Sequence, residues 1–185
     1  MKDLANRMEH LVQSAPHWVE LRYHRRRTHS LVVQKGLVKG VRSATTSGVG
    51  VRVRVDGAWG FSSTSESDNA SLERAVKQAI GCASAISALK KVSLQSLPKV
   101  KLARGEFDLA GYEELERMSL GEKLQLAITA EKNVRHKSSS IQSANCGDSE
   151  MFEDKIIATS DGALDSSKLA RNELSLSAMA EHNGE

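Results

Sequence analysis

No apolar run in this chain approaches the roughly 20 residues that a helix needs to cross a bilayer, so no membrane partner is expected. The opening stretch, MKDLANRMEHLVQSAP, carries acidic residues early and lacks the apolar core of a secretory signal. Proline is scarce at two residues and glycine stands at 13 of 185, which argues against a long disordered tract. Aromatic residues make up 4%, so a core must be built mainly of Val, Leu, Ile and Ala. The two cysteines, Cys82 and Cys146, stand far apart with no CxxC, as expected of reduced thiols in a cytoplasmic protein.

Catalytic signatures are missing as well. There is no GxSxG, no GK[ST], no HExxH and no HExxxH. The six histidines are His10, His17, His24, His29, His136 and His182, and no two have the i, i+3 or i, i+4 spacing of a helical metal site. The sequence therefore assigns no catalytic residue and no metal ligand. Glu113, Glu114 and Glu116 form an acidic helical cluster, read as a solvated face.

What the chain does have is charge asymmetry. Residues 1–60 hold 11 Lys/Arg against 4 Asp/Glu, a net of +7, and the remainder is net −4. The densest basic stretch is RYHRRRTH, where Arg22, Arg25, Arg26 and Arg27 form a candidate basic patch. Such a patch suits a nucleic-acid backbone or an acidic protein surface. No helix-turn-helix, zinc finger or RNP pattern accompanies it, so nucleic acid is the less favoured partner.

Periodicity sets the fold class. Leu4, Met8, Leu11, Val12 and Ala15 recur at helical spacing over 3–15, with Asp3 as N-cap and Pro16 at the exit. The period then drops to two: Val19, Leu21 and Tyr23 share one face of a strand, Glu20, Arg22 and His24 the other. In LVVQKGLVKGVRSA, Gly36 and Gly40 are expected to break the run into short strands. SGVGVRVRVDGAWGFSST holds four glycines, yet none opens a helix, so the glycines are expected to serve a sheet and a phosphate loop is the disfavoured reading. Asp56-Gly57 instead predicts a type I′ hairpin. That register sets Val55 against Ala58, Arg54 against Trp59, Val53 against Gly60 and Arg52 against Phe61. Two arginines then lie beside two rings, a cation–π face and the candidate contact surface: Arg52, Arg54, Trp59 and Phe61. It can meet a partner subunit, a peptide or the chain's own connector.

A small-residue helical stripe follows over 69–88. The prediction is an α+β fold in which an antiparallel sheet packs with helices: helix, about four strands, helix over 1–90. A connector follows over 91–111, and a second, incomplete α+β domain over 112–185. In that second part Ser119-Leu-Gly-Glu122 reads as a capping box for a helix to about 136. Turns are expected at Cys146-Gly147-Asp148, Asp161-Gly162 and His182-Asn183-Gly184. The Asn-Gly signal near Glu185 calls for a returning strand, so the chain is expected to be cut short.

The block VELRYHRRRTHSLVVQKGLVKGVRSATTSGVGVRVRVDGAWGFSSTS, followed by LERAVKQAIGCASA, resembles the N-terminal domain of the TldD/PmbA proteins, a metallopeptidase family historically labelled modulators of DNA gyrase. The shared pieces are Glu20 on the first strand, Gly36-Leu37-Val38, the strand Ser47–Val53, the hairpin Asp56–Thr64 and the Ala-rich helix. KIIATSDGALDSS and NELSLSAMAEHNGE are similar to the family's central domain. The resemblance implies a cytoplasmic homodimer or TldD–TldE-like heterodimer that degrades or processes peptides or unfolded proteins. It also implies zinc held by an HExxxH helix in the C-terminal half of full-length active members. None of those zinc-binding residues is in this sequence, so this part is expected to be inactive by itself. The edge strands of its sheet are expected to hold an extended peptide by strand addition.

Overall fold

A computed structural model describes residues 1–89, 97 and 100–181. The elements are α1 (Lys2–Gln13), β1 (Trp18–Gln34), β2 (Leu37–Val55), β3 (Ala58–Thr64), α2 (Asn69–Leu89), β4 (Arg104–Asp108), α3 (Tyr112–Arg117), α4 (Leu120–Arg135), β5 (Ile141–Thr159) and β6 (Leu164–Ala180). The strands form one six-stranded sheet in the order β3-β2-β1-β5-β6-β4. The fold is α+β, as the periodicity predicts, but the sheet is mixed. β3 pairs antiparallel with β2, whereas β4 pairs parallel with β6.

Several local expectations need correction. The described residues 1–89 contain three strands where about four were expected over 1–90, because β2 runs unbroken through Gly40. Nothing lies within 4 Å of a Cβ at Gly40, and its φ is not positive, so that glycine does not interrupt the ladder. The turn does fall at Lys35–Gly36, where both residues take positive φ (52° and 72°). The turn expected at Cys146-Gly147-Asp148 is absent, and all three residues lie inside β5. Asp3 is not the N-cap of α1. Met1 holds that position without a side-chain bond, and Asp3 sits in the first turn, where its carboxylate pairs with Arg7 at 3.0 Å. Within the expected connector, residues 104–108 form β4. The Asp161-Gly162 turn is present, whereas the expected turn at 182–184 lies outside the described residues.

Two compact units interleave along the chain, in contrast to the sequential division at 90 and 111. The first comprises Met1–Arg25, Thr46–Asp108 and Asp154–Lys168. Its core is built as the valine-rich sequence requires. Val49, Val51, Val53 and Val55 on β2 point to one face, joined by Val19 and Leu21 of β1 and by Ile156 and Ala158 of β5. Met8 and Val12 of α1 and the stripe Leu72, Ala75, Val76, Ala79 and Ala83 of α2 close over them. Burying each such side chain stabilises the fold by roughly 1.5–3 kcal/mol before chain entropy is counted. The hairpin turn has Asp56 at φ 46° and Gly57 at φ 84°, and the β2–β3 register is Val55↔Ala58, Arg54↔Trp59, Val53↔Gly60 and Arg52↔Phe61. Gly60 faces α2 so closely that a Cβ there would run into the Ala79 carbonyl oxygen and come within 2.7 Å of the Ala83 nitrogen. This close helix–sheet approach is the reason for the glycine.

The second unit comprises Arg26–Thr45, Leu109–Glu153 and Leu169–Glu185. Its core is small: Leu31, Val33, Ala127 and Cys146, with Leu124, Ile128 and Ala130 packed against them. α4 begins with a complete capping box. Ser119 accepts from the Glu122 N–H at 3.2 Å, and Glu122 accepts from the Ser119 N–H at 2.7 Å. Glu131 of α4 is fully buried, accepting the Gly36 N–H and the Arg135 Nε, both at 3.0 Å. A buried carboxylate satisfied in this way ties the helix to the β1–β2 turn.

Candidate functional site

In the first unit, the face of the sheet opposite the valine core carries alternate residues of β1 and β2. Glu20, buried on this face, accepts from Arg22 Nε at 2.5 Å and from Arg52 Nη2 at 2.7 Å. The Arg52 guanidinium lies 5.2 Å from the Trp59 ring centre and 5.8 Å from that of Trp18. Arg54 lies 5.7 Å from Trp59. The two indoles meet edge to face at 5.5 Å. Each such cation–π contact contributes on the order of 0.5–1 kcal/mol where water still reaches it. The expected stack of arginines on Trp59 is therefore present. Phe61 takes no cation among the described residues and is 64% exposed. Trp18, the first residue of β1, shares the Glu20 face by the same alternation but was not singled out in the sequence, and it supplies the second ring. The covered donors in this cluster include Trp18 Nε1 and Arg52 Nε, which have no hydrogen-bond acceptor among the described residues.

Each arginine of the RYHRRRTH stretch is matched with an acid. In the first unit Arg22 is held by Glu20, and Arg25 pairs with Asp154 at 2.7 Å, whose side chain is buried. In the second, Arg26 pairs with Glu153 at 3.0 Å, and Arg27 donates to Glu116 at 2.5 Å and to the Tyr112 hydroxyl at 2.6 Å. Burial alone would lower the Arg27 pKa, but its bonds with Glu116 and Tyr112 outweigh that and hold it above the ordinary value. The formal charge that made this stretch a candidate patch is thus balanced locally. The signal for this was present in Phe152-Glu153-Asp154-Lys155, an acidic pair inside a strand, but its position opposite the arginines is set by the pairing of β1 with β5, which neither segment reveals alone.

Cys146 is buried, and burial first, then Asp148 and Glu131, push its thiol pKa up. This is the reverse of what a nucleophilic thiolate needs. Cys82 is exposed and unpaired. Among the described residues no three His, Cys, Asp or Glu side chains converge. No helix among them is long and apolar enough to cross a membrane.

Comparison with known proteins gives this arrangement a context. Residues 19–83 match the model of PmbA/TldA metallopeptidase domain 1, and residues 113–185 match that of the PmbA/TldA metallopeptidase central domain. No curated protein matches the chain. Among solved structures, it is similar to a Thermotoga maritima protein provisionally described as a modulator of a DNA gyrase, with 20% identity and TM-score 0.72, covering 98% of this chain and 40% of that one. A Bacteroides thetaiotaomicron protein with the same provisional description gives 17% identity and TM-score 0.71, over 99% and 42%. TldE from Thermococcus kodakarensis gives 17% and 0.63, over 100% and 40%. At these identities the structures establish the fold, and the chain spans about two fifths of their length. With two domain models matched in chain order over most of the sequence, the chain belongs to the PmbA/TldA (TldD/PmbA) metallopeptidase family, of which it carries domain 1 and central-domain sequence.

Proposed function

We propose that this chain is a non-catalytic scaffold of a peptide-processing assembly, one that holds extended polypeptide beside a catalytic region it does not itself contain. The observation that carries the reading is the state of β6. Its pairing with β4 ends at Lys168, and residues 171–180 beyond it are exposed throughout. On that side no strand pairs with them among the described residues, and strand residues so placed, with apolar side chains (Leu174, Leu176 and Met179 among them), accept another strand through main-chain hydrogen bonds, which carry no sequence preference. A peptidase scaffold needs that indifference. The family description, metallopeptidase, supports the link to proteolysis. Zinc then belongs to the catalytic region, and the working assembly is a homodimer or a TldD–TldE-like heterodimer.

The reading is tested with reduced, carboxymethylated, fluorescently labelled α-lactalbumin as an unfolded polypeptide. Anisotropy should show saturable binding, and mass spectrometry should show the polypeptide intact after prolonged incubation. The double variant Leu174→Lys, Leu176→Lys should bind about ten-fold more weakly, because charged edge strands resist pairing. Absence of binding, or cleavage by this chain alone, contradicts the proposal. The rival reading, nucleic acid on the 22–29 arginines, loses support from the carboxylate opposite each of them, and no binding of duplex DNA is expected even at low salt.

A further inference from the structure

The second unit contains a cavity of about 250 Å³ between the sheet and the α3–α4 segment. Side chains from β1, β2 and β5 form its floor, and Met118, Leu120 and Lys123 close it from above. Its charges can be accounted for one at a time. Arg27 is bonded to Glu116. Lys123 is bonded to Glu150 at 2.7 Å, with both side chains largely buried. His29 Nδ1 meets Ser43 Oγ at 2.9 Å. The remaining charged group is Asp148, which has no hydrogen-bond or ion-pair partner among the described residues. Three carboxylates thus face two cations, and the unmatched one is half-buried beside the cavity. Burial first, then repulsion from Glu150, raises its pKa, and the attraction of Lys123 does not offset them.

The rest of the lining fixes the shape of the missing counter-charge. Val41, Met118 and Leu120 leave 46%, 38% and 54% of their surface exposed and form an apolar rim. A carboxylate below an apolar rim matches a cation on a hydrocarbon stem. A bare metal ion does not match, because no three donor side chains converge among the described residues. An anion does not match either, because Arg27 and Lys123 are already neutralised by Glu116 and Glu150.

We propose that this cavity binds a primary ammonium on an unbranched alkyl stem, with the ammonium on Asp148 and the stem against Val41, Met118 and Leu120. A lysine side chain of a polypeptide and a free alkylamine share this chemistry. The site is independent of strand addition at β6, and small-molecule probes test it without any polypeptide.

The experiment is a two-dimensional amide NMR titration of the full chain with Nα-acetyl-lysine N-methylamide and, separately, with n-butylammonium chloride. Saturable shifts confined to residues 41–43, 118–123 and 148–152 are expected at millimolar concentrations. The neutral isostere Nα-acetyl-norleucine N-methylamide should bind at least about ten-fold more weakly, and Asp148→Asn should weaken the lysine derivative by a similar factor. A second variant, Val41→Lys, places a competing ammonium at the rim and should also abolish the shifts. A thermal melt checks that each variant is folded. Tighter binding of the lysine derivative identifies a polypeptide side chain as the source, and tighter binding of butylammonium identifies a free amine. No saturable shift with either amine, or equal binding by norleucine or by folded Asp148→Asn, overturns the proposal.

Discussion

Gly60 and Gly50 lie on the same hairpin yet meet different surroundings. A methyl group at Gly60 would collide with the backbone of α2, whereas nothing lies within 4 Å of a Cβ at Gly50. Gly60→Ala should therefore cost at least about 1–3 kcal/mol, because backbone cannot move aside as a flexible side chain can. Gly50→Ala should cost much less. Thermal unfolding of the two variants decides the matter, with a melting-temperature drop several-fold larger for Gly60→Ala. Asp148 gives a second residue-scale test. Its folded-state pKa is raised by burial and by Glu150, so folding favours the protonated form. Native stability from this group is present below its unfolded pKa and is lost as pH rises through the folded one. Asp148→Asn should consequently be more stable than the parent at neutral pH, with the gain vanishing once the medium is acidic enough to protonate the unfolded aspartate. A melt series over pH checks this, and an equal gain at low and neutral pH would contradict the assignment. Much at this scale was legible in the sequence: the positive φ of Asp56 and Gly57, and the arginines over Trp59. The acidic partners of Arg25 and Arg26 were not, because they lie more than 120 positions away on β5, and long-range pairing leaves no local mark.

Elements with a local cause were read well from the sequence, and those with a non-local cause were not. The capping box put the start of α4 where Ser119 and Glu122 exchange bonds. Ser119→Ala should destabilise the chain by about 1 kcal/mol, because it leaves the first-turn N–H of Glu122 without its acceptor. Denaturant unfolding measures this, and a variant with unchanged midpoint and slope would show that the cap contributes nothing. The Glu122 carboxylate, lowered first by the Ser119 backbone bond, holds its proton less tightly than an ordinary glutamate. Its contribution is thus present above its unfolded pKa and is lost as pH falls through the lower folded value. By contrast, Cys146-Gly147-Asp148 has turn-forming residues and makes no turn. Gly147 has no positive φ, and β5 is paired on both sides, by β1 and β6, so the ladder carries the backbone straight through. The five residues of β4, RGEFD, show no alternation of burial and are exposed throughout, which is why a parallel edge strand went unread there.

For the whole molecule, strand length is the feature that sequence periodicity could not supply. β1, β2, β5 and β6 run to 17 or 19 residues, against a usual five or six, and each contributes to both compact units. Composition and Pro/Gly punctuation detect boundaries along a chain. They cannot detect one that cuts across four strands, so the division at 90 and 111 follows the sequence while the compact units interleave. The same long strands leave residues 171–180 of β6 exposed, and the proposed role depends on that edge. Hydrogen exchange tests it most directly: backbone amide protection of this chain, followed by mass spectrometry, with and without carboxymethylated α-lactalbumin. The account predicts slowed exchange concentrated in peptides covering residues 169–180, with the polypeptide recovered uncut. Unchanged exchange along β6 while the polypeptide is bound elsewhere, or a polypeptide recovered in fragments, would contradict it.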